Sequence, residues 1–134
     1  MKLAKKIYKE NNKNFLIKLA KSDDINTLSN RVLYKVIQSG TGTIKPELSD
    51  VVSVHYRGTF IDNREFESTL ENSYPETFRV REVIEGWQIA LREMVVGDKW
   101  QIFIPYNMGY GDKGVDNIPG YSTLIFEIEL IKIN

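Results

Sequence analysis

The sequence predicts an α+β domain: an antiparallel, strongly twisted β-sheet wrapped around one short α-helix, preceded by an N-terminal helical extension. Three observations carry that expectation. After residue 50, apolar and polar residues alternate in several short segments, the period of strands with one buried and one solvated face. Between those segments only Val83 to Met94 repeats its apolar residues at intervals of three and four, the spacing of an amphipathic helix. A chain of 134 residues is about one domain, large enough to bury a core without disulfides or a structural metal.

Taken in order, Leu3, Ile7, Phe15, Leu16, Leu19 and Ala20 recur at roughly helical spacing. Asn11, Asn12 and Asn14 interrupt them, so residues 2–21 read as one helix or two short ones. The polar stretch Ser22 to Asn30 reads as a connector, and Val32 to Ile37 as a strand ending at the turn Ser39-Gly40-Thr41-Gly42. These features divide the chain into an extension and linker, 1–30, and a β-rich domain, 31–134. Val52, Val54, Tyr56 and Phe60 alternate with Ser53, His55, Arg57 and Thr59, and Asp62-Asn63 turns the chain. Phe78 and Val80 mark a short strand, and the helix with Val83, Ile84, Trp87, Ala90, Leu91 and Met94 is closed by Gly97. Trp100, Ile102 and Ile104 form the next alternation; Leu124, Phe126, Ile128 and Leu130 form the last, with Glu127 and Glu129 outward. A single core is expected between the concave face of the sheet and the helix.

Composition excludes several functions. There is no cysteine and one histidine, His55, which removes thiolate chemistry, disulfides and zinc; neither a metal nor a cofactor is expected. Eighteen basic residues balance eighteen acidic ones, which argues against a nucleic-acid surface. Residues 1–30 nevertheless hold seven lysines against three acids, a run read as a solvated helix face. Lys5, Lys6, Lys9 and Glu10 break any apolar stretch after Lys2, so no signal or membrane span is expected. The expected setting is cytoplasmic, or exported if Met1 is not the native start.

Three further signals are weak. Gly109-Tyr110-Gly111-Asp112-Lys113-Gly114 matches G-x-G-x-x-G, but Asp116, Asn117, Pro119 and Gly120 predict a loop where a phosphate-binding helix should open. Glu65 with Glu67, and Glu127 with Glu129, have the spacing of paired carboxylates yet read as solvated strand faces. His55 alternates away from Tyr56, and no triad is built on it.

The aromatic residues are more informative. Of fifteen Phe, Tyr and Trp, twelve lie between Tyr56 and Phe126. Trp87, Phe126, Phe66 and Phe78 read as core by periodicity, while Tyr56, Tyr110 and Ile118, with polar tips or loop positions, mark the rim of an apolar cleft. With Val54-His55-Tyr56-Arg57-Gly58-Thr59, Phe66, Val83-Ile84-Glu85-Gly86-Trp87, Met94-Val95-Val96-Gly97, Ile104-Pro105 to Tyr110-Gly111, Ile118-Pro119 and Thr123-Leu124-Ile125-Phe126 in that order, residues 31–133 resemble the FKBP family of peptidyl-prolyl cis-trans isomerases. The lead-in from Asn14 to Val36 resembles bacterial Mip-like and FkpA-like members, whose longer N-terminal helices dimerise.

The resemblance implies an isomerase acting on X-Pro bonds of flexible or folding polypeptides, or a proline-binding chaperone module on the same fold with little turnover. It makes Trp87 the pocket floor, with Tyr56, Phe66, Val83, Ile84 and Phe126 as walls and Phe78 beside them. Tyr110 would donate its hydroxyl to the bound peptide or macrolide, Ile84 its backbone N–H, and Ile118 would cover the site. Tyr56, Glu67, Trp87 and Tyr110 are the expected catalytic residues; Phe66, Phe78, Val83, Ile84, Ile118 and Phe126 are the expected substrate-binding ones. Partners implied are proline-containing polypeptides, macrolides such as tacrolimus and rapamycin, and at most a weak dimer through the first helix. The chain departs from the family pattern at Glu67 (usually Asp), Asn72 (often Arg), Glu76 (a pocket aromatic in better-known members) and Asn117 (commonly apolar). Proline binding with reduced turnover and weaker macrolide affinity is the resulting expectation.

Overall fold

A computed structural model describes all 134 residues. Helix α1 spans Leu3–Leu19, followed by strands β1 (Asn26–Thr27), β2 (Leu33–Gln38), β3 (Val51–Thr59), β4 (Glu65–Ser68) and β5 (Glu76–Arg79). Helix α2 (Glu85–Leu91) then leads to β6 (Lys99–Ile104) and β7 (Leu124–Ile133). Every pairing is antiparallel, in the order β1-β2-β6-β7-β3-β4. β5 shares an edge of β3 with β4: Arg57 to Thr59 pair with β4, and Val51 to Val54 with β5. The α+β expectation holds, although β7 continues past the expected Leu130 to Ile133 and β4 forms where no strand is expected from the alternation.

The concave face and α2 enclose the main core, with Val52, Val54, Ile102, Ile104, Leu124, Ile128 and Leu130 from the sheet and Trp87, Ala90 and Leu91 from the helix. Gly86 sets how closely α2 approaches. A Cβ there would stand 2.5 Å from Ile104 Cγ2, so a residue that costs a helix about 1 kcal/mol relative to alanine is repaid by contact with β6. Helix α2 stops at Leu91, short of the expected Met94, which is buried in the turn that follows.

A single core is not what forms. Leu33, Phe103 and Ile125 make a second cluster, with Phe15, Leu16 and Leu19 of α1 packed against it. The reason lies in the strand period: alternation puts Ile102 and Ile104 on one face and Phe103 on the other, so β2, β6 and β7 are apolar on both sides and need a second cover. The asparagine-rich interruption does not break α1. Asn12, 2% exposed, accepts from Thr123 N–H at 2.8 Å and donates through Nδ2 to Tyr8 O at 2.8 Å, joining the helix to the loop before β7. The connector Ser22 to Asn30 likewise contains a short strand, β1, paired with β2.

Candidate active site

Each wall of the cleft comes from a different element. β3 supplies Tyr56, β4 Glu67, β5 Phe78, α2 Trp87 and β7 Phe126; the segment entering α2 supplies Glu82, Val83 and Ile84; and the loop after the turn Tyr106–Met108 supplies Tyr110. These nine residues line a cleft of about 260 Å³. Trp87 is only 4% exposed, consistent with a floor. Tyr56, Phe78 and Phe126 meet its indole edge-to-face with centroids 4.8, 5.6 and 5.2 Å away, the arrangement aromatic quadrupoles favour. Three perpendicular rings hold the indole so that it cannot tip.

The polar groups are few and placed. Tyr56 donates its hydroxyl to Glu67 Oε1. Burial, and then the Glu67 carboxylate, push the Tyr56 hydroxyl far above its usual range; burial and Glu67 also raise Tyr110. Both phenols therefore remain neutral donors at neutral pH. The Ile84 N–H finds no backbone acceptor; Ile84 caps the start of α2, where N–H groups have no intrahelical partner. The Trp87 Nε1–H is buried without an acceptor in the protein. The geometry thus combines a dry aromatic floor with donors available to a bound carbonyl, and no nucleophile.

Of the ten residues singled out from the sequence, eight line the cleft; Phe66 and Ile118 do not. Phe66 stands behind Phe126, its ring edge-to-face at 5.5 Å. Gly58 permits this, since a Cβ there would meet Phe66 Cζ at 2.7 Å and Phe126 Cε1 at 2.8 Å. Ile118 is 7% exposed and belongs to the core cluster, its backbone bonded both ways to Val115 at the base of the loop. Glu82 lines the cleft although the alternation gave it no role. Thr69 was also missed: its Oγ1 accepts the Tyr56 N–H at 2.8 Å and its own N–H reaches Tyr56 O at 2.9 Å. It thereby fills the gap between β4 and β5 and holds the Tyr56 backbone. No local pattern marks a threonine for that task.

The weak signals resolve plainly. No helix opens after Gly114; Val115 and Ile118 form an isolated bridge instead. Glu127 is paired with Lys99 at 2.9 Å and Glu65 with Arg57 at 2.8 Å. His55 Nδ1 lies 3.1 Å from Thr69 Oγ1, under the segment after β4. A larger hollow of about 400 Å³, at the opposite side of α2 and lined by Leu28, Ser29, Ile89, Arg92 and Glu93, has only two apolar residues and none of the aromatic set.

The model of the FKBP-type peptidyl-prolyl cis-trans isomerase family matches residues 42–131. The chain belongs to this family. The chain is 41% identical over 120 residues to the FKBP-type 22 kDa peptidyl-prolyl cis-trans isomerase of Escherichia coli, covering 89% of this chain and 58% of that protein. It is 46% identical over 101 residues to the outer membrane protein MIP of Legionella longbeachae, covering 75% and 43%. The crystal structure of FkpA from Escherichia coli superposes with a TM-score of 0.91 at 35% identity over 98% of this chain and 61% of that one. The chain spans about half the length of the curated relatives it matches. No helix of the chain is long and apolar enough to cross a membrane.

Proposed function

We propose that this chain is a peptidyl-prolyl cis-trans isomerase that accelerates rotation about X-Pro bonds in flexible or folding polypeptides, without a covalent intermediate. The observation that carries this is Trp87 as the floor of an aromatic cleft, fixed by three perpendicular rings and flanked by the unpartnered Ile84 N–H. Rotation about the bond costs about 18–20 kcal/mol because amide resonance is lost, and uncatalysed exchange takes tens to hundreds of seconds. A proline ring on Trp87 would place the preceding carbonyl away from water, and water stabilises the charge-separated planar amide more than the twisted one. The twisted form then binds better than either planar one, and each ~1.4 kcal/mol of preference gives about tenfold in rate. Ile84 N–H and the Tyr110 hydroxyl would hold the flanking carbonyls, and Glu67 would orient Tyr56.

The same floor and donors support binding of macrolides such as tacrolimus or rapamycin. The outer side of α1, where Leu3, Ile7 and Ile17 are exposed, supports contact with a second copy in a weak dimer. The cytoplasmic expectation rests on the charges between Lys5 and Glu10 alone; a relative named as an outer membrane protein supports an exported setting, and a cysteine-free domain folds in either redox environment.

The test is a protease-free peptide isomerisation assay, with proline-limited refolding beside it. The wild type should accelerate both, Tyr110→Phe should lower kcat/KM by roughly threefold to tenfold through one lost hydrogen bond, and Trp87→Leu should lower it further. A wild type that leaves both rates at background removes the proposal.

A further inference from the structure

The rim of the cleft carries negative charge that its apolar floor does not need. Glu67 and Glu82 line it. Glu76 lies two residues before Phe78 on β5, opposite Val54 and so on the same strand face, and its charge, like that of Glu67, acts on the Tyr56 hydroxyl. All three are exposed, and no lysine or arginine lines the cleft. Some acids elsewhere on the molecule are matched: Glu65 with Arg57 at 2.8 Å, Glu127 with Lys99 at 2.9 Å and Glu93 with Lys45 at 3.1 Å. At the rim, Glu67 and Glu76 enter no ion pair, and Glu82 has only Arg79 at 3.8 Å, a guanidinium that also donates to Ser49 O at 2.8 Å.

An acidic cluster alone would be a solvated surface. This one borders a hollow whose floor residue, Trp87, keeps a buried Nε1–H with no acceptor, and whose Ile84 N–H is equally unused. Both observations point to a ligand with carbonyl groups seated between the carboxylates. We infer that the cleft selects polypeptide segments carrying a lysine or arginine next to the proline, with Glu76 and Glu82 attracting the cation and Glu67 adding to the field. The inference rests on the isomerase reading above and specifies its substrate class. A single exposed ion pair contributes little, but like charges along one cleft wall sum into a potential that raises the local concentration of a cationic ligand. Salt weakens it over a Debye length of about 8 Å at physiological ionic strength.

The experiment compares matched peptides in which lysine, alanine or glutamate precedes proline, assayed without protease at low and high salt. The wild type and the Glu76→Gln/Glu82→Gln double variant are tested, and binding of each peptide is followed by tryptophan emission. The wild type should show about a fivefold higher kcat/KM for the lysine than for the alanine peptide at low salt, with the glutamate peptide lowest. High salt and the double variant should each collapse that order. Equal kcat/KM for all three peptides, with turnover retained, overturns the charge selection and leaves the isomerase reading standing. If no peptide is accelerated, the isomerase reading fails, and the emission titrations decide the inference: equal affinities overturn it, while a salt-sensitive preference for lysine upholds it as a property of binding.

Discussion

Tyr56 shows how one residue is held from several sides: Thr69 bonds its backbone, Glu67 takes its hydroxyl and Trp87 packs against its ring. Tyr56 and Tyr110 both hold their protons above the ordinary tyrosine value of 10.0. Below that value folded and unfolded chains are both protonated and their stabilising contribution is complete. As pH rises past it, the unfolded chain ionises first and stability falls. The melting temperature should therefore drop between about pH 10 and 11, and Tyr56→Phe should make that drop shallower. Gly58 tests the aromatic wall. Because a Cβ would crowd Phe66 and Phe126 at 2.7 and 2.8 Å, Gly58→Ala should cost about 1–3 kcal/mol in chemical denaturation. It should also lower kcat/KM by displacing Phe126 against Trp87.

At the scale of elements, α1 is tied to the loop that precedes β7. Tyr8 Oη lies 2.7 Å from Ser122 Oγ, Asn12 holds Thr123, and Lys9 Nζ stands 4.7 Å over the Tyr121 ring. Asn12→Leu leaves the buried Thr123 N–H without an acceptor, and such orphaning costs about 1–3 kcal/mol. Calorimetry should record a fall in melting temperature of roughly 3–10 °C, while Asn12→Asp, which keeps the acceptor oxygen, should lose less. Helix α2 behaves differently, since its register comes from its own apolar spacing and from Gly86 against Ile104. The sequence therefore foretells α2 and Trp87 well. It foretells α1 as a helix but not its docking, because an asparagine among lysines reads as an interruption until its partner 111 residues away is known.

For the whole molecule, one sheet serves two covers: α2 on the concave face over the cleft side, and α1 on the other over Leu33, Phe103 and Ile125. We propose that residues 31–134 hold the cleft without the extension, a division that truncation addresses. Removing residues 1–20 uncovers the second cluster, so the melting temperature should fall and light scattering should rise. The tryptophan emission response to a proline peptide should persist. Loss of that response in a still-folded truncation would show that the extension shapes the cleft.

Composition, strand alternation and the ordered aromatic residues were readable in the chain itself. They are local regularities, and period two or period 3.6 decides which side chains share a face before any distant contact forms. Tertiary structure alone placed Thr69 in the gap beside Tyr56, drew Phe66 and Ile118 back from the cleft, gave Glu82 a place in its lining and brought α1 onto the reverse of the sheet. Thr69, Phe66 and α1 depend on hydrogen bonds or ring contacts between residues remote in sequence, whose partners no window of neighbouring residues contains.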